Sequence, residues 1–170
     1  MTGTADMMVR TCARQEIEYL RRLYAKATDL IGTGKTEAVA EGTAIYERIF
    51  TADVSVRTAG GNRPLTATGP QGWADVVQKA LANYSATQHL IGTQLVDPLE
   101  LASDADGMVQ TGSARMESYL QGWHEHPDGT VYVFLGTYED QVRYDPAHGW
   151  QIYDMTLVQT SSENREMGTL

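Results

Sequence analysis

The chain has 170 residues and a formal net charge of −9 at pH 7. That length suits one domain with a well-buried core and is too short for two ordinary domains. The acidic balance argues against binding of nucleic acid or anionic membranes, because clustered Lys and Arg are needed to bind phosphate groups. Arg21 and Arg22 form the only adjacent basic pair, and we interpret them as a solvated helix face.

Cys12 is the only cysteine, so the chain cannot close a disulfide within itself. Residues 1–12 lack the apolar core of a secretory signal, and no segment approaches the run of about 18 apolar residues that a membrane-spanning helix needs. We therefore expect a cytoplasmic protein with neither nucleic acid nor a membrane as partner.

The first helix is predicted from Arg14 to Ile31, after a loose N-terminal arm over residues 1–13. Residues 32–34, Gly-Thr-Gly, end it. Asp29 points away from its apolar stripe on an ideal helix, so a role in a pocket requires the last turn to loosen or a neighbouring element to cover it. The alternative is an exposed acid near a helix end. The stripe has three- and four-residue spacing and comprises Ile17, Leu20, Leu23, Tyr24, Ala27, Leu30 and Ile31.

Two further helices follow. Thr36 suits the N-cap of the second helix, which Gly42 weakens in the middle. Residues 53–57 alternate as a short strand, and residues 58–69, with three glycines and a proline, are typical of a loop. Pro70 suits the first turn of the third helix.

The second half of the chain is predicted to be a sheet. Four strand segments are rich in Val, Tyr, Thr and Leu and are separated by turn sequences such as Asp97-Pro98. Short connections require antiparallel neighbours, so we predict an α+β fold with one domain over residues 14–160 and a mobile tail over 161–170. The four segments cover residues 90–96, 107–123, 130–144 and 150–159.

One face of this sheet is predicted to be an open, aromatic surface. Bare aromatic sheet faces favour association, so we expect a homodimer or a homotrimer. The residues assigned to this face are Tyr119, Tyr132, Tyr138 and Tyr144.

His89 opens an apolar run after the third helix and is the main candidate for chemistry. A neutral imidazole beside a carboxylate is a ready general base at neutral pH, and Asp29 is the expected partner. The alternative is a hydrogen-bonded core histidine. His124 and His126 could share one strand face, but a turn beside Pro and Gly is usually exposed and no third ligand is near. We therefore predict neither a metal nor a cofactor.

Three local motifs support a family resemblance: Tyr-Ala-Lys-Ala-Thr-Asp at residues 24–29, Thr-Gln-His-Leu-Ile-Gly at 87–92, and Gly149-Trp150. In order and spacing they resemble the SnoaL-like family of the nuclear transport factor 2-like superfamily, over roughly residues 15–159. The resemblance implies a cone-shaped fold in which three N-terminal helices pack on a strongly curved antiparallel sheet around one deep pocket.

Within this family, His89 and Asp29 resemble the acid/base pair of the scytalone dehydratases and the bile acid 7α-dehydratases. The resemblance implies that both are catalytic. Thr28 and Thr58 stand where the scytalone dehydratases carry two water-holding tyrosines, and the second histidine of that group aligns near Arg115 and Met116. The polar groups around the substrate therefore differ, and scytalone itself is not the expected substrate.

Other residues are candidates for substrate binding. Tyr24, Arg115 and Thr137 could stabilise a developing enolate. Tyr24 could equally be a core aromatic residue, and Arg115 could pair with Glu117 at a subunit interface. Trp73 is expected to anchor the third helix and, second, to stack on substrate.

The predicted function is that of a cofactor-independent lyase, most simply a dehydratase acting on a hydrophobic aromatic or polycyclic small molecule. Isomerisation, ring closure or formaldehyde-releasing carbon–carbon cleavage would use the same base. The alternative of another class is a noncatalytic small-molecule-binding or assembly module, because a fold does not dictate function.

Overall fold

The computed structural model describes residues 3–61 and 64–166. Three helices pack on a six-stranded sheet, which confirms the predicted α+β class. In chain order the elements are α1 (Thr4–Gly32), α2 (Thr36–Ile49), β1 (Phe50–Ala59), β2 (Thr66–Thr68), α3 (Pro70–Leu81), β3 (Ala86–Ser103), β4 (Val109–Glu125), β5 (Thr130–Asp145) and β6 (Gly149–Glu166).

The sheet has the strand order β2-β1-β6-β5-β4-β3. The last four strands form the predicted antiparallel meander. However, β1 runs parallel to β6, so the sheet is mixed rather than wholly antiparallel. A parallel pair is possible here because α3 and four strands separate β1 from β6 in the chain. The predicted loop also contains β2, which pairs with β1.

The expected loose arm over residues 1–13 is wrong for the described residues, because α1 begins at Thr4. An ion pair between Asp6 and Arg10, four residues apart, supports the first turns. Arg10 also donates a hydrogen bond to the Leu99 carbonyl in β3 (3.1 Å), and Ala13 is buried. These tertiary contacts extend the helix beyond its apolar periodicity.

The expected mobile tail from residue 161 is also wrong as far as residue 166. The polar residues up to Glu166 continue β6, which pairs with β5 as far as Thr130 opposite Glu166. Residues 167–170 of that tail lie outside the described residues. The predicted Asp97-Pro98 turn is instead an irregularity inside β3, where the pairing register with β4 shifts.

Gly42 lies at the closest approach of α1 and α2. A Cβ atom there would lie 2.7 Å from the Ala27 carbonyl oxygen and 2.7 Å from Ile31 Cγ1. Both distances are shorter than any normal carbon contact. Gly42 therefore permits this packing, in addition to lowering the helix propensity of α2.

The prediction that Arg21 and Arg22 both lie on a solvated helix face is wrong for Arg21. Its side chain is fully buried and forms a two-pronged ion pair with Asp140 of β5, which is also fully buried. Arg22 is exposed and pairs with Glu18 (2.8 Å). The apolar face of α1 is therefore wide enough to include one charged residue whose partner comes from the sheet.

The predicted aromatic sheet surface is mostly wrong. Only Tyr119 faces outward, while Tyr138 is buried and Tyr144 packs against Trp150 with ring centroids 5.4 Å apart. Tyr132 lines a cavity between helices and sheet. The reason is strand alternation, because the three tyrosines of β5 share the concave face. The predicted oligomer stays a prediction.

No helix in the described part of the chain is both long and apolar enough to span a membrane.

Candidate active site

His89 and Asp29 are brought together where β3 covers the last turn of α1. The His89 Nδ1 atom lies 2.7 Å from Asp29 Oδ1. The His89 backbone N–H also donates to Asp29 Oδ2 (3.2 Å), and the Thr87 hydroxyl donates to Oδ1 (3.0 Å). The neighbouring strand thus supplies the cover that a pocket role for Asp29 requires.

This geometry fixes which nitrogen of His89 is free. A carboxylate only accepts hydrogen bonds, so Nδ1 carries the proton that Asp29 binds, and the lone pair of the neutral ring is on Nε2. The His89 side chain is 7% exposed and that of Asp29 is 25% exposed. The arrangement can therefore take a proton at Nε2 and stabilise the resulting imidazolium through Asp29.

His89 forms part of the wall of a cavity of about 240 Å³. Tyrosine, tryptophan, phenylalanine and aliphatic side chains from α1, α3 and the concave sheet face line most of it. Asp29 is behind His89 rather than in the wall. The lining residues are Tyr24, Thr28, Thr58, Leu65, Trp73, Val76, Val77, Ala80, Leu81, Tyr84, His89, Leu120, His124, Tyr132, Phe134, Tyr138 and Leu157.

His124 is the site residue that the sequence analysis missed. It is buried (6% exposed), and its ring centroid lies 5.2 Å from that of His89 with the rings nearly perpendicular. Its Nδ1 lies 3.2 Å from the Tyr132 carbonyl oxygen. Burial and the neighbouring His89 lower the pKa of His124 to about 4, so its ring is neutral at pH 7.

The pairing of β4 with β3 places His124 beside His89. Gly122 pairs with His89, and alternate residues of a strand share a face, so His124 faces the same side. The sequence predicts an exposed turn here, but β4 continues to Glu125.

Tyr24 and Trp73 both line the cavity, and their catalytic or binding roles stay predictions. The Trp73 indole N–H donates to the Tyr24 hydroxyl (3.0 Å). Tyr24 is also stacked on Tyr46, with ring centroids 5.2 Å apart, so it contributes to the core as well. Thr28 and Thr58 lie in the same wall.

Arg115 and Thr137 do not line this cavity, so their predicted place beside His89 is wrong. Arg115 is exposed on the outer sheet face, with its guanidinium 4.0 Å from Glu139 rather than paired with Glu117. Thr137 borders a shallow outer groove together with Tyr119. In the pairing of β4 with β5, Arg115 lies opposite Gln141 and Thr137 opposite Tyr119. The cavity side of β5 instead carries Tyr132, Phe134 and Tyr138.

Within residues 3–61 and 64–166, no group of three His, Cys, Asp or Glu side chains has the geometry to hold a metal ion. His126 packs on Tyr84, with ring centroids 4.8 Å apart, and His148 contacts Asp145 in the last turn of the meander.

The fold is shared with solved structures of low sequence identity. A protein from Kribbella flavida is 21% identical, with a TM-score of 0.66 over 91% of this chain and 95% of its own. A protein assigned as a scytalone dehydratase from Novosphingobium aromaticivorans is 16% identical, with a TM-score of 0.67 over 96% and 93%. A hexachlorocyclohexane dehydrochlorinase from Novosphingobium barchaimii is 13% identical, with a TM-score of 0.69 over 96% and 97%.

These likenesses show the fold alone. No curated protein matches the chain. The model of the SnoaL-like domain family matches residues 10–156, which include all three helices in part or whole, His89, Asp29 and the cavity wall. The chain therefore belongs to the SnoaL-like domain family.

Proposed function

We propose that the protein is a cofactor-independent lyase, a dehydratase that uses His89 as its general base and acid. The observation that carries the proposal is the 2.7 Å contact between His89 Nδ1 and Asp29 Oδ1, with the same ring in the wall of an apolar cavity. Two of the similar structures, assigned as a dehydratase and a dehydrochlorinase, carry names of elimination enzymes.

In the first step, His89 Nε2 takes a proton from a carbon next to the substrate carbonyl. The electron pair of the broken C–H bond forms a carbon–carbon double bond, and the carbonyl electrons move to oxygen to give an enolate. Asp29 stabilises the imidazolium through Nδ1–H. A base of this kind contributes about 10²- to 10⁴-fold to the rate.

In the second step, the imidazolium returns its proton from Nε2 to the β-hydroxyl group. The carbonyl re-forms, the electron pair of the enolate C=C bond forms the α,β double bond, the β C–O bond breaks, and water leaves to give an α,β-unsaturated ketone. No electrons enter or leave, so no oxidant or reductant is needed. Because one nitrogen serves both groups, hydrogen and hydroxyl leave from the same face of the substrate.

His124 assists by staying neutral. Its low pKa keeps a second positive charge away from the protonated His89 ring, 5.2 Å away between centroids. With its Nδ1–H donated to the Tyr132 carbonyl, its Nε2 is an acceptor. A substrate hydroxyl is the group that such an acceptor would orient.

The cavity size narrows the expected substrate. An engineered apolar cavity of about 150 Å³ holds one benzene molecule. A volume of about 240 Å³ therefore has room for one or two rings. We propose a compact cyclic β-hydroxy ketone.

Dehydration of 3-hydroxycyclohexanone, followed by the absorbance of the conjugated ketone, tests the function. We expect turnover by the wild type and a loss of about 100-fold or more in His89→Ala. Thr137→Val on the outer sheet face is the matched control and should keep the wild-type rate. Retention of turnover in a folded His89→Ala protein, or a wild-type rate equal to that in buffer, would contradict the proposal.

A further inference from the structure

Gly122 is a buried glycine in the interior of β4, opposite His89 of β3 and Phe134 of β5. Glycine weakens the interior of a strand, and where it occurs there it often marks the close approach of another group. The φ angle of Gly122 is not in the left-handed region, so the backbone conformation does not require glycine. The reason for glycine at this position must therefore come from the side chains around it.

The ring of His124 lies over the position where Gly122 lacks a side chain. Both residues face the cavity side of β4, because alternate residues of a strand share a face. A Cβ atom at position 122 would lie 2.9 Å from His124 Cε1 and 3.7 Å from His124 Nε2. The first distance is shorter than a normal contact between two carbon atoms. An alanine at position 122 would therefore displace the His124 ring.

The His124 ring is held by several neighbours and cannot move without losing a contact. Its Nδ1 atom lies 3.2 Å from the Tyr132 carbonyl oxygen. Its ring centroid lies 5.0 Å from that of Tyr84 and 5.7 Å from that of the Tyr132 ring. It also meets the His89 ring edge to face, with the centroids 5.2 Å apart. Displacement by a methyl group would therefore change how His124 faces His89 or the cavity.

The same position over Gly122 is also close to His89. A Cβ atom there would lie 3.7 Å from His89 Cδ2, the ring carbon that is bonded to Nε2. The Nε2 atom of His124 is equally far from that position. The edges of the two imidazole rings that carry their Nε2 atoms therefore converge over Gly122.

We infer that Gly122 is a positioning residue of the site. The absence of a side chain lets the His124 ring lie against β4, with its Nε2 atom directed to the substrate hydroxyl that His89 protonates. Gly122 provides no reacting atom and acts only through His124. The link to turnover rests on the proposed function, but the effect of Gly122 on the His124 ring does not.

The protonation of His124 reports on the position of its ring. Burial, together with the neighbouring His89, lowers the pKa of His124 to about 4. A ring that is displaced from this enclosed position is better solvated, so its pKa moves back toward the ordinary value of 6.5. The titratable groups that face the ring are His89 of β3, Asp29 of α1, His126 next to β4, Tyr84 after α3 and Tyr132 of β5.

Titration of the His124 ring, followed by NMR between pH 7.5 and about 5, tests the inference without turnover. We expect the ring to stay neutral over this range in the wild type and to take up a proton in Gly122→Ala. Gly92→Ala on the neighbouring strand is the matched control, because no atom lies within 4 Å of a Cβ atom there. The His124 ring of that variant should stay neutral as in the wild type.

A double-mutant cycle on the dehydration of 3-hydroxycyclohexanone tests the link to turnover. We expect Gly122→Ala and His124→Ala each to lower kcat by about tenfold, the usual effect of losing one hydrogen bond. The double variant should be no more than about twofold slower than His124→Ala, because its alanine has no ring to displace. For the same reason, a double variant should fold even if Gly122→Ala does not.

A His124 ring that stays neutral in Gly122→Ala would overturn the inference, and so would multiplicative losses of rate in the double variant or a double variant that does not fold. Loss of turnover in His89→Ala with an unchanged titration of His124 in Gly122→Ala would contradict the inference alone. Absence of turnover in the wild type, with the shifted titration in Gly122→Ala, would contradict the proposed function and support the effect of Gly122 on His124.

Discussion

Asp29 fixes His89 through both its side chain and its backbone. One carboxylate accepts from the ring Nδ1–H, from the His89 backbone N–H and from the Thr87 hydroxyl. This set of donors suits an ionised carboxylate, which has acceptor sites on both oxygens. At the scale of single residues, the chemistry of the site therefore depends on Asp29 remaining a carboxylate.

We predict that Asp29→Asn lowers kcat by about 100-fold or more, within the range of general acid–base catalysis, with little change in KM. An amide offers one oxygen and one NH₂ group, so the ring can turn to present a different nitrogen to the cavity. Steady-state kinetics, followed by the absorbance of the conjugated ketone product, measure the effect. Thr87→Val removes one donor but leaves the charge, so it should cost less than about tenfold, and a larger loss there would contradict the assigned roles.

His124 makes the folded state sensitive to acid. Its pKa is lowered to about 4, so between pH 6.5 and 4 the unfolded chain binds a proton that the folded chain does not. Above pH 6.5 the titration of this group does not lower the free energy of unfolding, and the free energy of unfolding decreases as the pH falls from 6.5 toward 4. His89, Asp29 and His126 are the charged or titratable groups around it.

We expect the free energy of unfolding to fall by about 2 kcal/mol more in wild type than in His124→Gln between pH 7.5 and pH 5. Glutamine can still donate to the Tyr132 carbonyl but does not titrate. Urea denaturation at both pH values gives the difference directly. An identical pH dependence in the two proteins would show that His124 is not shielded from protons.

The proximity of His89 and Asp29 could be predicted from the sequence because the two residues fall in family-like motifs. His124 could not, because its face depends on where β4 ends, and a polar His-Glu-His sequence does not show that end. The predictions for Arg115 and Thr137 were wrong because the sequence does not show which face of a strand packs against the helices. The parity of a strand is settled only by what packs on each face.

At the scale of elements, the contact of α1 with α2 depends on Gly42. A methyl group there would meet the Ala27 carbonyl and the Ile31 side chain at 2.7 Å, and the backbone oxygen cannot turn aside. The close approach brings Tyr46 of α2 against Tyr24, with the ring centroids 5.2 Å apart, at the cavity wall.

We predict that Gly42→Ala destabilises the protein by about 1–3 kcal/mol, as overpacking does, although alanine is the better helix former. Gly92→Ala is the matched control, because no atom lies within 4 Å of a Cβ atom at that position. Thermal and urea unfolding measure both variants. A Gly42→Ala protein as stable as the wild type would show that the helices can separate without cost.

The lengths of the elements were less predictable than their order. The first ten residues of α1 and the last residues of β6 carry no clear apolar period, and both are held by partners elsewhere in the chain. Arg10 reaches β3, and the end of β6 pairs with β5. Local sequence cannot show such contacts, so α1 and β6 were both predicted to be shorter than they are.

At the scale of the whole molecule, the Arg21–Asp140 pair joins the helix layer to the sheet. Arg21 also donates toward the Met155 sulfur (3.4 Å) and stacks on Tyr138. Removing one partner leaves a buried charge without its counterion, which is much more costly than replacing both by apolar groups.

We expect Asp140→Leu alone to cost about 3–5 kcal/mol of unfolding free energy, and the double variant Arg21→Met, Asp140→Leu to be more stable than that single variant. A double-mutant cycle by urea denaturation measures the coupling. Strictly additive losses would contradict a direct interaction across the two layers.

The predicted meander followed from short turns, and the order of helices before strands gave the layered fold. The parallel pairing of β1 with β6 was not predictable in the same way, because nothing in either strand encodes a neighbour nearly 100 residues away. The family resemblance supplied the curved sheet around one pocket, and the cavity between helices and sheet has that form.

We propose that His89, held by Asp29, removes a proton from a carbon atom next to a carbonyl group. Incorporation of deuterium at carbon 2 of 1-tetralone in heavy water, followed by NMR, isolates this step from any later elimination. We predict that the wild type exchanges this proton well above the buffer rate and that a folded His89→Ala protein does not. Exchange that persists in His89→Ala, or none with the wild type, would contradict it.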